Sequence, residues 1–297
     1  FNWTNLSSIF YYYCCISSIK ETYIQFIFEH FTIGTSTASA GHTLELWHVK
    51  LTGGDVSSLS GNPDRLGGSI LVYNNGGELK LYYSEISGNK AFLGGGISAF
   101  GDSAANKNAI VNIYNSIVKD NEGPQSGGMY LVSAVGTIKD TTIENNEATN
   151  NAGGIRINNG DVNITNSNIA NNNAGDNGGG LHVEGSTTVI LRQSTFSNNV
   201  ANHGYNIYSS GLQTITLVNT VVPTTANSIK NLMSAATYTT CTASPCTEAP
   251  FTGACSAVDS SDDKLGVVCK GLHTETTCTS PLAVSYTHLT LPTKRIV

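Results

Sequence analysis

The chain has 297 residues, of which 12% are charged, and its formal net charge is −6. Its basic residues do not form a run, so nothing in the composition indicates a nucleic-acid partner. Glycine, asparagine, serine and threonine stand among β-branched residues. This composition is typical of all-β folds with many tight corners.

Residues 1–39 form an N-terminal segment of uncertain character, rich in Phe, Tyr and Ile but without periodicity. Its apolar stretch, Ile9–Ile19, has the character of a signal-peptide core but follows no basic region. Lys20 and Glu21 end that stretch short of the roughly 20 residues that a membrane-spanning helix needs. Three interpretations stay open: a capping strand, a degraded signal, or translated non-coding sequence.

One pattern occurs six times between Gly67 and Thr225. Each copy begins with a glycine pair (a lone Gly204 in the last copy) and continues with short strands of alternating apolar residues. The first strand of each copy has an apolar anchor: Ile70, Ile97, Met129, Ile155, Leu181 and Ile207. The anchors lie 27, 32, 26, 26 and 26 residues apart. Such a period predicts stacked repeats, because one repeat cannot bury its own apolar face.

Two further apolar columns follow the anchor. The second column is Leu81, Ile113, Ile138, Ile164, Leu191 and Leu217, and the third is Ile86, Val118, Ile143, Ile169, Phe196 and Val222. Three strands in about 26 residues leave no room for a helix. The pattern therefore predicts an all-β chain, with a right-handed, single-stranded parallel β-helix of about six rungs over residues 40–225. A partial N-terminal rung precedes them, with matching residues Leu44, Leu46, Val49 and Leu51.

An asparagine stands three residues after the third column in five repeats: Asn89, Asn121, Asn146, Asn172 and Asn199. Amides that recur at the same turn of every rung can hydrogen-bond to one another along the stack. The sequence thus predicts an internal asparagine ladder, which the alternative fold, an antiparallel sandwich, does not readily explain. The 32-residue spacing predicts one surface loop inserted near residues 102–108.

The glycine-rich and asparagine-containing segments resemble the two signatures, GGA[ILV] and FxxN, of the polymorphic outer-membrane-protein repeat. They read GGSI at 67–70, GGGI at 94–97, AGGI at 152–155, GGGL at 178–181 and FSNN at 196–199. Over about residues 40–225 the chain is similar to this family, and more broadly to the pectin-lyase-like superfamily of right-handed β-helices. The resemblance implies a surface-displayed passenger or adhesin.

One predicted outward column offers a candidate ligand-binding site. Tyr130, Arg156, His182 and Tyr208 occupy equivalent positions in consecutive repeats, so they should lie about 4.8 Å apart. Aromatic rings with interleaved basic groups can stack on sugars or hold an acidic glycan. The alternative interpretation is a solvent-facing stripe of long amphipathic side chains.

Catalytic groups do not converge in the sequence. Glycoside hydrolysis needs paired carboxylates, and a polysaccharide lyase needs Ca²⁺-binding carboxylates beside a basic residue. The acids Glu78, Asp102, Asp161 and Glu184 fall at four different offsets of the repeat, so no two make an adjacent column. We predict no catalytic residues, no cofactor and no metal site.

These observations favour a secreted or cell-surface module that binds, adhesin-like, to glycans or to the surface of a host or neighbouring cell. The sequence itself shows no membrane anchor. The alternative is a carbohydrate-active enzyme, a pectate-lyase-like lyase or a hydrolase, that acts on an acidic polysaccharide.

Five cysteines fall within residues 226–283: Cys241, Cys246, Cys255, Cys269 and Cys278. Their clustering in a polar segment predicts a small disulfide-stapled module in an oxidising, extracellular compartment. A zinc site is the alternative, but the segment has no Cys-x-x-Cys pair and His273 is its one histidine. Residues 284–297 begin with VSYTHLTLPT, which resembles one reading frame of a sequencing adapter. We expect this tail to have no functional role.

Overall fold

A computed structural model describes residues 19–22, 31–33, 42–59, 65–73, 77–102, 107–210, 213–223, 228–231, 237–241, 254–256 and 268–270. The predictions for most of residues 1–39 and 226–283, and for all of 284–297, lie outside these residues. The regular elements within them are all β-strands, and none is a helix.

Three strands precede the repeats: β1 (Ile19–Thr22), β2 (Phe31–Ile33) and β3 (Thr43–Thr52). The repeats contain β4 (Ile70–Tyr73), β5 (Glu78–Tyr82), β6 (Glu85–Ser87), β7 (Ile97–Phe100), β8 (Ala109–Tyr114), β9 (Ile117–Lys119), β10 (Met129–Val132), β11 (Ala134–Lys139), β12 (Thr142–Glu144), β13 (Glu147–Ala148), β14 (Ile155–Asn158), β15 (Asp161–Thr165), β16 (Asn168–Ala170), β17 (Asn173–Ala174), β18 (Leu181–Glu184), β19 (Thr187–Arg192), β20 (Thr195–Ser197), β21 (Ile207–Ser210) and β22 (Gln213–Val218). Four more follow: β23 (Ile229–Asn231), β24 (Thr237–Cys241), β25 (Ala254–Ser256) and β26 (Val268–Lys270).

Two long parallel sheets contain nearly all of these strands. The larger has the order β20-β16-β12-β9-β6-β3-β5-β8-β11-β15-β19-β22-β24, with β1 also paired to β3. The other has the order β2-β4-β7-β10-β14-β18-β21-β23. The long strand β3 divides the larger sheet into two arms, because its first half pairs with β5 and its second half with β6. The prediction of an all-β chain built from parallel sheets is confirmed, and the arrangement is compatible with a parallel β-helix.

Neighbouring repeats pair in register along each apolar column. In the first column, for example, Met129 is opposite both Ile97 and Ile155. In the second, Ile138 is opposite both Ile113 and Ile164. The partial repeat continues this register, since Leu46 is opposite Leu81 and Leu51 is opposite Ile86. The side chains of all three columns lie in one continuous apolar core.

The glycine pairs lie where successive repeats approach most closely. A Cβ atom on Gly153 would lie 2.6 Å from the backbone N and O atoms of Asn173, and one on Gly154 would lie 2.5 Å from the carbonyl oxygen of Gly180. Atoms cannot pack at such distances, so only glycine allows the spacing of the strands to continue through this turn. The recurrence of glycine in the sequence therefore reflects contact between repeats.

The column asparagines form a buried chain of hydrogen bonds. From Asn89 to Asn199, each Nδ2 group donates to the Oδ1 atom of the next asparagine, at 2.9, 3.0, 2.9 and 3.0 Å. The Oδ1 atoms of the last four asparagines also accept the backbone N–H of the preceding asparagine. Each Nδ2 group donates its second proton to a carbonyl of the preceding repeat, as Asn172 does to Ile143. All five side chains are at most 5% exposed. Full pairing removes the cost of burying these amides.

Both ends of this chain are closed by other groups. At the first asparagine, the backbone N–H of Gly54 donates to Asn89 Oδ1 at 2.9 Å. At the last, Asn199 Nδ2 donates to Asn206 Oδ1, and Asn206 Nδ2 donates to Ser228 Oγ, both at 2.8 Å. Asn206 directly precedes the anchor of the last copy, where the four copies before it have glycine, so the departure from glycine supplies the terminal amide.

A second buried ladder uses hydroxyl groups two residues before the third column: Ser84, Ser116, Thr141, Ser167, Ser194 and Thr220. Each hydroxyl donates to the carbonyl two residues earlier in its own repeat, at 2.7–3.2 Å. Five of them also accept a backbone N–H from the preceding repeat. The hydroxyls thus complete the hydrogen bonding of the corner that joins the two arms of the larger sheet.

Three of the five cysteines of residues 226–283 lie in described strands. Cys241 lies in β24, and Cys255 is directly opposite Cys269 in the antiparallel pair β25–β26. Cys246 and Cys278 lie outside the described residues, and the disulfide-stapled module stays a prediction.

We expect Asn172→Ala to lower the free energy of unfolding by roughly 2–4 kcal/mol, because it leaves several buried donors and acceptors in mid-chain without partners, each costing about 1–3 kcal/mol. Asn168→Ala is the matched control, since Asn168 is partly exposed and only accepts a bond from the Thr195 hydroxyl. Urea unfolding followed by circular dichroism measures both changes. Equal losses of unfolding free energy in the two variants would show that a buried ladder amide stabilises the fold no more than a partly exposed one.

Candidate functional site

The predicted binding column is in register but is not an open surface. Tyr130 is opposite Arg156, Arg156 is opposite His182, and His182 is opposite Tyr208. Tyr130, His182 and Tyr208 are only 9%, 4% and 5% exposed. The prediction that this column faces solvent is therefore wrong for these three residues.

The glycine turns before β18 and β21 explain the burial of His182 and Tyr208. A Cβ atom on Gly178 would lie 2.9 Å from the Cβ atom of His182, and one on Gly204 would lie 2.8 Å from that of Tyr208. These two turns thus fold over the outward side chains of the strands that follow them. Both glycines have positive φ angles, +68° and +62°, which glycine adopts readily.

The positive charge of Arg156 is already matched within the protein. Its guanidinium donates to both carboxylate oxygens of Glu184, at 2.9 Å from Nε and 3.1 Å from Nη2. Nη1 donates to Gln125 Oε1 at 2.6 Å, and the guanidinium lies 4.9 Å from the ring centroid of Tyr130. A bidentate pair of this kind holds the arginine in one geometry. The column therefore offers no unmatched cation to an acidic glycan.

His182 is buried as a neutral imidazole. Burial, together with the neighbouring Arg156 guanidinium, lowers the pKa of His182 to about 3. Glu184 Oε2 is 3.9 Å from Nε2, too far for a hydrogen bond, and neither ring nitrogen has a hydrogen-bond partner. The ring packs edge-on against Tyr208 with centroids 4.8 Å apart. These contacts indicate a structural role for the histidine.

We expect His182 to make the fold less stable in acid. Its folded-state pKa is below its ordinary value of about 6.5, so between pH 6.5 and pH 3 the unfolded chain binds a proton that the native protein does not. Its contribution is complete above pH 6.5 and falls by at most about 1.4 kcal/mol for each unit of pH below it. His182→Phe should remove this dependence without loss of stability at pH 7, because Tyr130 and Tyr208 show that the position accepts an aromatic ring.

Urea unfolding of the wild type and of His182→Phe from pH 7 to pH 4 measures the difference. His42→Gln, at an exposed position, is the control and should keep the wild-type slope. A constant difference between wild type and His182→Phe over this range would contradict the expectation.

The four acids named from the sequence do not meet, although the register corrects one prediction by placing Glu78 and Asp161 in the same column, three strands apart. Glu78 pairs with Lys80 at 3.2 Å, Glu184 pairs with Arg156, and Asp161 is exposed at the start of β15. The backbones of Asp102 and Lys107 form an antiparallel bridge at the base of the predicted loop insertion, between β7 and β8. Among the residues that the structure describes, no group of three or more His, Cys, Asp or Glu side chains could hold a metal ion.

The structure instead brings together an aromatic cluster, formed by Trp47, His48, Tyr82, Tyr83 and Tyr114. The rings of Trp47 and Tyr82 stack with centroids 4.1 Å apart, and those of Tyr82 and Tyr114 with centroids 5.2 Å apart. Beside them the rings of His48 and Tyr83 stack at 5.2 Å. Tyr83 is 51% exposed. Exposed aromatic clusters are common at binding surfaces, because the rings supply large contact areas with few rotatable bonds.

This cluster was not predicted from the sequence, although the sequence contains a signal for it. Trp47, Tyr82 and Tyr114 each directly follow a residue of the second apolar column, at Leu46, Leu81 and Ile113. The aromatic residues begin in the partial repeat and stop after two more, so they do not recur along the whole array.

His48 and Tyr83 also belong to a corner column that runs through all the repeats: His48, Tyr83, Asn115, Asp140, Asn166, Gln193 and Asn219. All seven residues have φ angles between +47° and +52°. This left-handed conformation suits Asn and Asp better than other non-glycine residues. The column therefore turns the chain between the two arms of the larger sheet at the same place in every repeat.

A shallow polar groove lies along this corner column. Its volume is about 310 Å³, and its lining residues are Asp140, Thr141, Thr142, Asn166, Ser167, Asn168, Gln193 and Thr195. The hydroxyls of Thr141 and Ser167 belong to the buried hydroxyl ladder. The side chains of Thr142 and Gln193 make no hydrogen bond to another described residue and are available to a ligand.

No family model, no curated protein and no solved structure matches this chain. Within the described residues there is also no helical segment with the length and hydrophobicity that crossing a bilayer requires.

Proposed function

We propose that the chain forms a right-handed parallel β-helix of about six rungs, with a partial rung before them, and that it acts as a binding module outside the cell. The in-register parallel pairing of every repeat supports the helix, and the crossover rule for parallel strands supports its hand. The resemblance to the polymorphic outer-membrane-protein repeat supports display at a cell surface. Its partners would be glycans or a neighbouring cell surface.

The observation that carries the proposed function is the exposed aromatic cluster on a rigid support. Its rings stand on β3, β5 and β8 or directly after them, beneath these strands lies the apolar core, and the hydroxyl ladder follows at the adjoining corner. A support of this kind presents side chains with little conformational entropy to lose on binding. Binding, rather than turnover, is what such a surface does best, because its rings and amides offer contact area and hydrogen bonds but few groups that could transfer a proton.

We expect no turnover when the full chain is incubated with pectin, alginate and related uronides, with and without Ca²⁺. Release of reducing ends and absorbance of unsaturated products measure hydrolysis and elimination. The same preparation should bind to a glycan array or to intact cells. Turnover that Asp161→Ala or Arg156→Ala abolishes, in a variant with an unchanged circular dichroism spectrum, would contradict the proposed function and favour the enzyme.

A further inference from the structure

We infer that the corner column and its polar groove form a binding track for a linear, uncharged oligosaccharide, with Tyr83 as its stacking platform. This inference rests on the proposed binding function and narrows it to one site and one class of ligand.

Tyr83 offers an aromatic face at one end of the track. The His48 ring covers one side of it, with centroids 5.2 Å apart and planes inclined by 13°. The next residue along the column is Asn115, and no ring of a later repeat packs against Tyr83 among the described residues. With half of its surface exposed, the tyrosine can receive the apolar face of a pyranose ring, as aromatic side chains do in sugar-binding sites.

The backbone at Tyr83 supports a role beyond folding. Its φ angle is +48°, a conformation that strains a tyrosine more than the Asn or Asp found at Asn115, Asp140 and Asn166. Tyr83 thus occupies a position where asparagine would stabilise the corner better. Strain of this kind is often retained where the side chain has a function.

The groove supplies hydrogen-bonding groups farther along the same column. Asp140 lies two strand spacings of about 4.8 Å, or about 10 Å, beyond Tyr83. From there Asp140, Asn166 and Gln193 follow one another in consecutive repeats, beside Thr142, Asn168 and Thr195. Amide and hydroxyl groups repeated at this spacing match the hydroxyl groups of successive sugar units, since one pyranose ring is about as long as one strand spacing.

The charge of the groove favours an uncharged ligand. Asp140 is the one acidic side chain among the eight lining residues, none of which is basic. The Lys139 ammonium, 4.0 Å from Asp140 Oδ2, offsets this charge, so the groove offers an oligouronide no unmatched cation. Asp140 Oδ1 already accepts a hydrogen bond from Asn166 Nδ2, and the carboxylate keeps lone pairs that can accept hydrogen bonds from sugar hydroxyls.

Isothermal titration of the full chain with cellohexaose, mannohexaose, N-acetylchitohexaose and hexagalacturonate tests the inference. At least one of the three neutral hexamers should bind, and hexagalacturonate should bind at least tenfold more weakly. Tyr83→Asn should weaken binding of the neutral hexamer at least tenfold while leaving the melting temperature equal or higher, because asparagine suits this backbone conformation. Gln193→Ala should weaken it at least threefold.

Asn198→Ala is the matched control, because Asn198 is also exposed and has a φ angle of +52°, but lies at another corner. It should leave binding unchanged. Neutral binding that neither Tyr83→Asn nor Gln193→Ala weakens would overturn the site. Absence of neutral binding, or preference for hexagalacturonate, would overturn the ligand class. None of these outcomes by itself contradicts the proposed binding function, which fails only if the chain binds neither the glycan array nor intact cells, or if it cleaves a polysaccharide.

Discussion

The in-register pairing of successive repeats is the constraint on which the rest of this structure depends. Each ladder asparagine from Asn121 to Asn199 uses both protons of its amide and accepts two hydrogen bonds at its oxygen, and each partner belongs to an adjacent repeat, as at Asn146. A slip of one residue would turn the apolar columns outward and leave the buried amides without partners. The hydrogen bonds therefore select one register, while the apolar columns provide the driving force for stacking.

The same constraint determines the outer surface. Because the strands stay in register, the residues at each corner align in a column along the array. A substitution in one repeat therefore changes one position of that column. Most members of the corner column are asparagine or aspartate, which suit its left-handed backbone. The aromatic residues at His48 and Tyr83 are exceptions at one end of the array. A regular interior thus allows the exterior to vary from repeat to repeat without disturbing the fold.

Much of this architecture could be predicted from the sequence, because period and alternation report directly on which side chains share the core. The pairing of Met129 with Ile97 and Ile155, for instance, follows from the spacing of the anchors. The alternation of apolar residues led to a wrong prediction for the outward face of the first strand, because it cannot show that the preceding glycine turn covers His182 and Tyr208. The candidate column was accordingly predicted to be exposed, although three of its four residues are buried.

The aromatic cluster was missed for a different reason. Its residues are adjacent only after β3, β5 and β8 pair, and the partial repeat that holds Trp47 and His48 lies 35 residues from the next. Columns common to all repeats contain the residues that hold the stack together. Binding residues need not recur, so they become visible only when the register is known.

Hydrogen exchange of the side-chain amide protons, followed by nuclear magnetic resonance, tests the ladder most directly. The Nδ2 protons of Asn121, Asn146 and Asn172 are buried and bonded, so they should exchange only through global unfolding. Asn171, which is exposed in the neighbouring position, supplies the reference for free exchange in the same spectrum. Protection of the three ladder amides close to that of the core backbone is the predicted result. Exchange as fast as that of Asn171 would contradict the in-register pairing of the repeats.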